Sequence, residues 1–141
     1  MTTIDVVTVF LYHNQKILIV QRGNQVRTFR GYWSGISGYL EPETNPVEQA
    51  KIEVREETGI KSENISKIFQ GKTIEIIDPA KEKRIWRVHP FKFILKSSPE
   101  INLDWENQKF QWINPLELNK FKTVPGLKKA WESANNGKRI E

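Results

Sequence analysis

The chain has no cysteine. Disulfide bonds, a thiolate nucleophile and a cysteine-ligated zinc site are therefore excluded. It also lacks a run of like charge long enough to mark a nucleic-acid-binding arm. No apolar stretch is long enough to cross a bilayer as a helix: the N-terminal run, residues 4–12, is short and interrupted by Asp5 and Thr8. That run has no basic leader and no small-residue cleavage site, so it does not read as a signal peptide. A soluble, cytoplasmic protein is the expectation, with no membrane partner. Repeats and low-complexity linkers are missing too, and one domain over residues 1–141 is expected.

What is there fits that frame. Hydrophobic residues make up 38% and charged residues 28%, close to globular averages. Disorder is expected only in the tail, residues 135–141. Twenty-two basic against 17 acidic side chains give a net charge of +5. That excess suits a small anionic ligand such as a phosphate ester, and weak attraction to nucleic acid. Without a basic stripe, nucleic acid is not the expected partner.

Residues 4–12 are rich in Val and Phe and read as a buried strand. A polar turn at residues 13–16 leads to a second strand over 17–21, which makes a hairpin. Residues 23–31 form a polar, basic loop, and residues 32–39 read as short extended pieces with Gly35 and Gly38 approached closely by other backbone. A helix follows, with Asn45 as cap, Pro46 in its first position and Gly59 ending it. Strands are expected over 67–77, 85–95 and 109–113, with a turn over 78–83, and a last helix over 124–134. Strands interleaved with two helices place the chain in the mixed α and β class, α+β.

The stretch EVREETGI, residues 53–60, carries Glu53, Glu56 and Glu57. At about 100° per helical residue the three fall on one face. Beside them Val47, Ala50 and Val54 form an apolar stripe that can dock on a sheet. The acids sit in the C-terminal half of the helix, where both the macrodipole and their mutual repulsion oppose negative charge. Hard divalent cations such as Mg²⁺ or Mn²⁺ stabilise clusters of this kind. Taken alone, the same run is also an ordinary solvated acidic face paired with Lys51, Arg55 and Lys61.

From Gly38 the chain runs GYLEPETNPVEQAKIEVREETGI. This resembles the box of the Nudix hydrolase family. Gly38 matches its opening glycine, and Glu53, Val54, Glu56, Glu57, Gly59 and Ile60 match its closing run in register. Downstream, Trp112-Ile113-Asn114-Pro115 resembles the family's tryptophan strand and turn. The resemblance implies an α/β/α sandwich around a mixed central sheet. It also implies hydrolysis of a nucleoside diphosphate linked to another group, dependent on Mg²⁺ or Mn²⁺. Metal ligands would come from Glu53, Glu56, Glu57 and the carbonyl of Gly38. A small nucleotide is the implied partner, and homodimers are common in the family. Two positions depart from the pattern. Thr44 stands where glutamate is usual and Ile52 where arginine is usual, so an ionic brace between loop and helix is read as replaced by an apolar one, with Ile52 packed inward.

Cleaving a phosphoanhydride needs phosphate charge neutralised and water activated. Glu53 and Glu57 are candidates for the base, as is Glu106, in a loop just before the tryptophan strand. Arg22, Arg27 and Arg30 can grip phosphates with forked hydrogen bonds. Trp33 and Trp86 can stack a base, although aromatics more often fill cores. His89 reads as structural. A nucleotide-binding or sensor module with weak or no turnover is the alternative that the altered box leaves open.

Overall fold

The computed structural model describes residues 1–81 and 83–141. Residue 82, in the turn expected over 78–83, lies outside the described residues. Two α-helices flank a mixed sheet of nine strands among the described residues. The strands are β1 (Thr2–His13), β2 (Lys16–Arg22), β3 (Trp33–Ser34), β4 (Ile36–Tyr39), β5 (Ile65–Gln70), β6 (Ile74–Ile77), β7 (Arg84–Leu95), β8 (Asn107–Ile113) and β9 (Lys138–Arg139). The helices are α1 (Pro46–Thr58) and α2 (Leu127–Asn135). The sheet runs β3-β2-β1-β7-β5-β9, with β4 also on β1, β6 on β7 and β8 on β2. Among the strand pairs of the described residues, β1 and β7 alone run parallel, with Val6 opposite Val88, and an isolated parallel bridge joins Trp33 to Thr123.

The β1–β2 hairpin turns on Asn14 and Gln15, whose φ values of 50° and 64° are those of a two-residue turn that follows the strand twist. The two strands pair next to this turn, Tyr12 with Ile17 and His13 with Lys16, and then diverge. Residues 33–39 fill the wedge: β3 adds to β2 and β4 adds to β1. Gly35 sits at the switch, where a side chain would crowd the Val9 carbonyl. This positions Gly38 at the sheet end beside α1.

Alternation along β1 feeds two cores. Val7, Val9 and Leu11 pack with Ala50 and Val54 of α1 and with Phe91 and Phe93. Phe10 packs on the other face with Leu127, Ala130 and Trp131 of α2. Fully enclosing a side chain such as Phe10 or Phe91 contributes about 1.5–3 kcal/mol.

Local signals fix α1. The Asn45 side chain accepts the Val47 N–H at 3.0 Å, Pro46 needs no donor there, and Gly59 at φ 80° donates its N–H to the Arg55 carbonyl. Elsewhere tertiary contacts move the expected boundaries. The strand expected over 67–77 is two strands, because the break at 71–73 faces Pro90. Proline has no N–H to extend the ladder, and the chain opposite gains one residue, Gln70 pairing with Phe91 but Ile74 with Val88. The last helix starts at Leu127, not 124. Val124 donates to the Trp33 carbonyl at 2.9 Å, which keeps it extended, and Gly126 at φ 78° turns the chain into the helix. The tail expected to be disordered instead forms β9 on β5, and Lys51 of α1 pairs with Glu141 at 2.8 Å. No helix among the described residues is long and apolar enough to cross a membrane.

Candidate active site

A cleft of about 450 Å³ opens beside β4 and takes side chains from both faces of the sandwich. Glu53 and Glu56 of α1, Gly38 and Glu106 line one end. Val6, Trp86, Val88, Leu127 and Ala130 line the other, and the loop from Gln25 to Phe29 forms a wall.

Glu53 and Glu57, one turn apart, are both buried, whereas Glu56 is exposed. Glu53 receives a hydrogen bond from Gln49 Nε2 at 3.1 Å. Its carboxyl group lies where a side chain at Gly38 would be, so any larger residue there would displace the Glu53 carboxyl from this position. Burial pushes the Glu53 carboxyl up to about 7, aided by the charges of Glu56 and Glu106 and opposed by the bond from Gln49. Glu57 is 2% exposed. Asn107 Nδ2 donates to its Oε1 at 2.8 Å, while its Oε2 has no hydrogen-bond partner among the described residues. Burial and the neighbouring Glu106 push Glu57 well above its ordinary range. Glu106 is raised as well, by burial and by Asp104, with Arg22 opposing. Its backbone is tied to the basic loop by a bond from the Gly23 N–H at 2.8 Å.

The acids do not stand as the closed set implied by the resemblance. Among the described residues no group of three or more His, Asp or Glu side chains is arranged to hold a metal ion. Glu53 and Glu57 turn inward toward amide donors and stay near each other, while Glu56 faces solvent. The residues nonetheless fit a hard divalent cation. They offer carboxylate oxygens, one of them buried and unpartnered, and burial and mutual repulsion raise their affinity for any positive partner.

The basic residues divide. Arg27 lines the cleft, and so does Arg22. Arg22 also holds the loop, donating Nε to the Thr28 carbonyl at 2.9 Å. Arg30 donates Nε to the Val26 carbonyl at 2.7 Å and does not line the cleft. Trp33 is not in the cleft either. It packs edge-on against Phe121, 5.4 Å between ring centres, in the core under α2. Trp86 does line the cleft, stacked near-parallel on Tyr39, with the Arg84 guanidinium 4.8 Å from its ring centre. His89 bonds Asp5 at 2.9 Å, away from the acids. Ile52, expected to pack inward, is 46% exposed, because the helix buries Ala50, Glu53 and Val54 instead. No apolar brace replaces the ionic one.

Three contributors were absent from the sequence reading. Gln49 was legible from its i, i+4 relation to Glu53. Asn107 was not, since it meets Glu57 across 50 residues. Trp105, 64% exposed at the cleft mouth, carries no local signal beyond its size.

Fold and cleft together define a class, an α/β/α sandwich with acids and arginines opposed in one cleft. Residues 2–133 match the NUDIX domain, and the chain belongs to that family. It is 29% identical over 96 residues to the mouse bis(5'-nucleosyl)-tetraphosphatase [asymmetrical], a match covering 66% of this chain and 65% of that protein. A MutT protein from Methanosarcina mazei Go1 superposes with a TM-score of 0.73 at 21% identity, covering 93% of this chain and 91% of that one. A bifunctional NMN adenylyltransferase/ADP ribose pyrophosphatase from Francisella tularensis, solved with AMP and a manganese ion, also gives 0.73 at 22% identity, covering 92% of this chain and 40% of that one.

Proposed function

We propose that the protein is a cytoplasmic pyrophosphohydrolase that uses Mg²⁺ or Mn²⁺ to cleave a phosphoanhydride bond in a nucleotide. The observation that carries this is the cleft itself: partly uncompensated acids at one end, Arg22 and Arg27 beside them, and an aromatic, apolar chamber at the other. The activity of the mouse relative and the manganese and AMP of the Francisella structure support the same reading.

Glu53 and Glu57 would hold the cation, with Glu56 and the Gly38 carbonyl completing its shell. When bound, the cation supplies neutralisation of phosphate charge and acidification of water. Arg22 and Arg27 bind the phosphate oxygens and fix the anhydride in line. Trp86 and Tyr39 form an aromatic wall against which a base can lie. Glu106, which lines the cleft beside Glu53 and Glu56, takes the proton of the attacking water. The water oxygen bonds to phosphorus, the P–O–P bond breaks, and the electron pair leaves with the departing phosphate. A purely nucleotide-binding module is the second reading, favoured by the separation of Glu56 from the buried pair.

One screen tests both. Phosphate and pyrophosphate release is measured over a panel of nucleoside triphosphates, nucleotide sugars, ADP-ribose and dinucleoside polyphosphates. At least one compound is expected to be hydrolysed with Mg²⁺ or Mn²⁺ and spared in excess EDTA. Full turnover in chelator would overturn the metal role. Binding without release across the panel would favour the sensor reading.

A further inference from the structure

Carboxylates that bind a cation must be aimed, and the expected brace does not aim them, since Ile52 faces solvent. Two amides occupy that role in space. Gln49, buried one turn before Glu53, donates to Oε1 of Glu53. Asn107, buried at the start of β8, donates to Oε1 of Glu57. The bond from Asn107 leaves Oε2 of Glu57 buried and without a hydrogen-bond partner among the described residues. An arginine or lysine in either position would neutralise the carboxylate and compete with a cation for its charge. A primary amide donates a hydrogen bond yet carries no charge, so it orients the oxygen and leaves the negative charge in place. Gly38 completes the arrangement by leaving room for the Glu53 carboxyl group.

We infer that Gln49 and Asn107 are positioning residues of this site: neutral donors that each fix one oxygen of Glu53 or Glu57 and leave the other for a divalent cation. The inference rests on the metal role proposed above and assigns the residues that make it work in a chain without the usual ionic brace. It also links β8 to α1, so that the loop carrying Glu106 is held in register with the acids by the residue next to it.

The test is Mn²⁺ titration of the full chain by calorimetry, with melting temperatures recorded in parallel. Asn107→Leu removes the donor at similar size, and Gln49→Leu does so on the helix. Each is expected to weaken Mn²⁺ affinity ~10-fold or more, the scale of lost hydrogen bonds to metal ligands. Asn107→Ser, smaller and still a donor, serves if Asn107→Leu does not fold, and is expected to lose less affinity. Asn114→Ala is the control. It removes the bond to the Leu116 N–H at 3.0 Å and should lower the melting temperature without altering Mn²⁺ affinity. Affinities within about twofold of the parent in the Leu variants would overturn the inference, as would equal weakening in the control. A parent chain that binds no Mn²⁺ would overturn the metal role itself and this inference with it. The two failures are thus distinguishable.

Discussion

Two buried acids in this molecule live opposite lives. Asp78 is 3% exposed and fully answered: it accepts from Ala80 N–H at 2.8 Å, Arg84 Nε at 2.7 Å and Trp86 Nε1 at 2.9 Å. Burial alone would push its carboxyl up, but these donors and the Arg84 charge hold it below its ordinary value. Glu57 is as little exposed to solvent, but it receives one amide bond and sits beside Glu53 and Glu106, with the Arg22 charge felt at a distance and no cation paired to it among the described residues. A fold that can answer one acid with three donors, one of them an arginine, has left the other short. The first acid anchors a turn and the cleft wall at Trp86. The second is incomplete in a way a bound cation would complete.

The comparison breaks if the two acids respond alike to substitution. Asp78→Ala strands Arg84 and two further donors and should lower the unfolding free energy by about 3 kcal/mol in urea titration. Glu57→Gln, in the absence of metal, replaces a carboxyl that burial already disfavours in its charged form with a neutral amide, and should leave stability unchanged or higher. Its effect falls on turnover, expected to drop ~10²-fold or more with the fold intact. A destabilised Glu57→Gln with normal turnover would reverse the assignment of roles.

The pH dependence of stability sharpens it. Glu53 is held at about 7 in the folded chain against an ordinary value of 4.5, and Glu57 is raised too. The native state therefore binds these protons more tightly than the unfolded chain does. Their contribution is complete below the unfolded value and lost as pH rises through the folded one. Metal-free melting temperatures should fall between about pH 4.5 and 7, and Glu53→Gln should flatten that slope. Asp78 has the opposite sign: its contribution is present above the unfolded value and is lost only in strong acid.

The smallest effect is expected at the missing brace. Ile52→Arg places a charge on an exposed position and should change stability by no more than ~0.5 kcal/mol. A loss of several times that would mean that Ile52 packs against something in solution.

What the sequence disclosed and what it hid follow from the range of the forces involved. Helix α1 was readable because Asn45, Pro46 and Gly59 act within one turn of themselves. The acids were readable by type and spacing. Their unequal burial was not, because the sheet decides which side of the helix is covered and it covers Glu53 and Glu57 but not Glu56. Trp33 and Arg30 had the right chemistry for a ligand, yet Phe121 and the Val26 carbonyl claim them. The break between β5 and β6 is dictated by Pro90 on the facing strand, and the start of α2 by a bond from Val124 to Trp33. Each of these misses is a contact between distant parts of the chain. So is Asn107, the partner of Glu57.

The central claim is that the raised acids wait for a divalent cation, and calorimetric Mn²⁺ binding in buffers of different ionisation enthalpy tests it most directly. A cation that displaces protons from Glu53 and Glu57 must release them to the buffer. About one proton or more should be released per ion bound at pH 6, below the Glu53 value of about 7, and Glu57→Gln should reduce that number. Affinity should rise with pH over the same range. Binding at pH 6 that releases no proton, with an affinity independent of pH, would contradict the account.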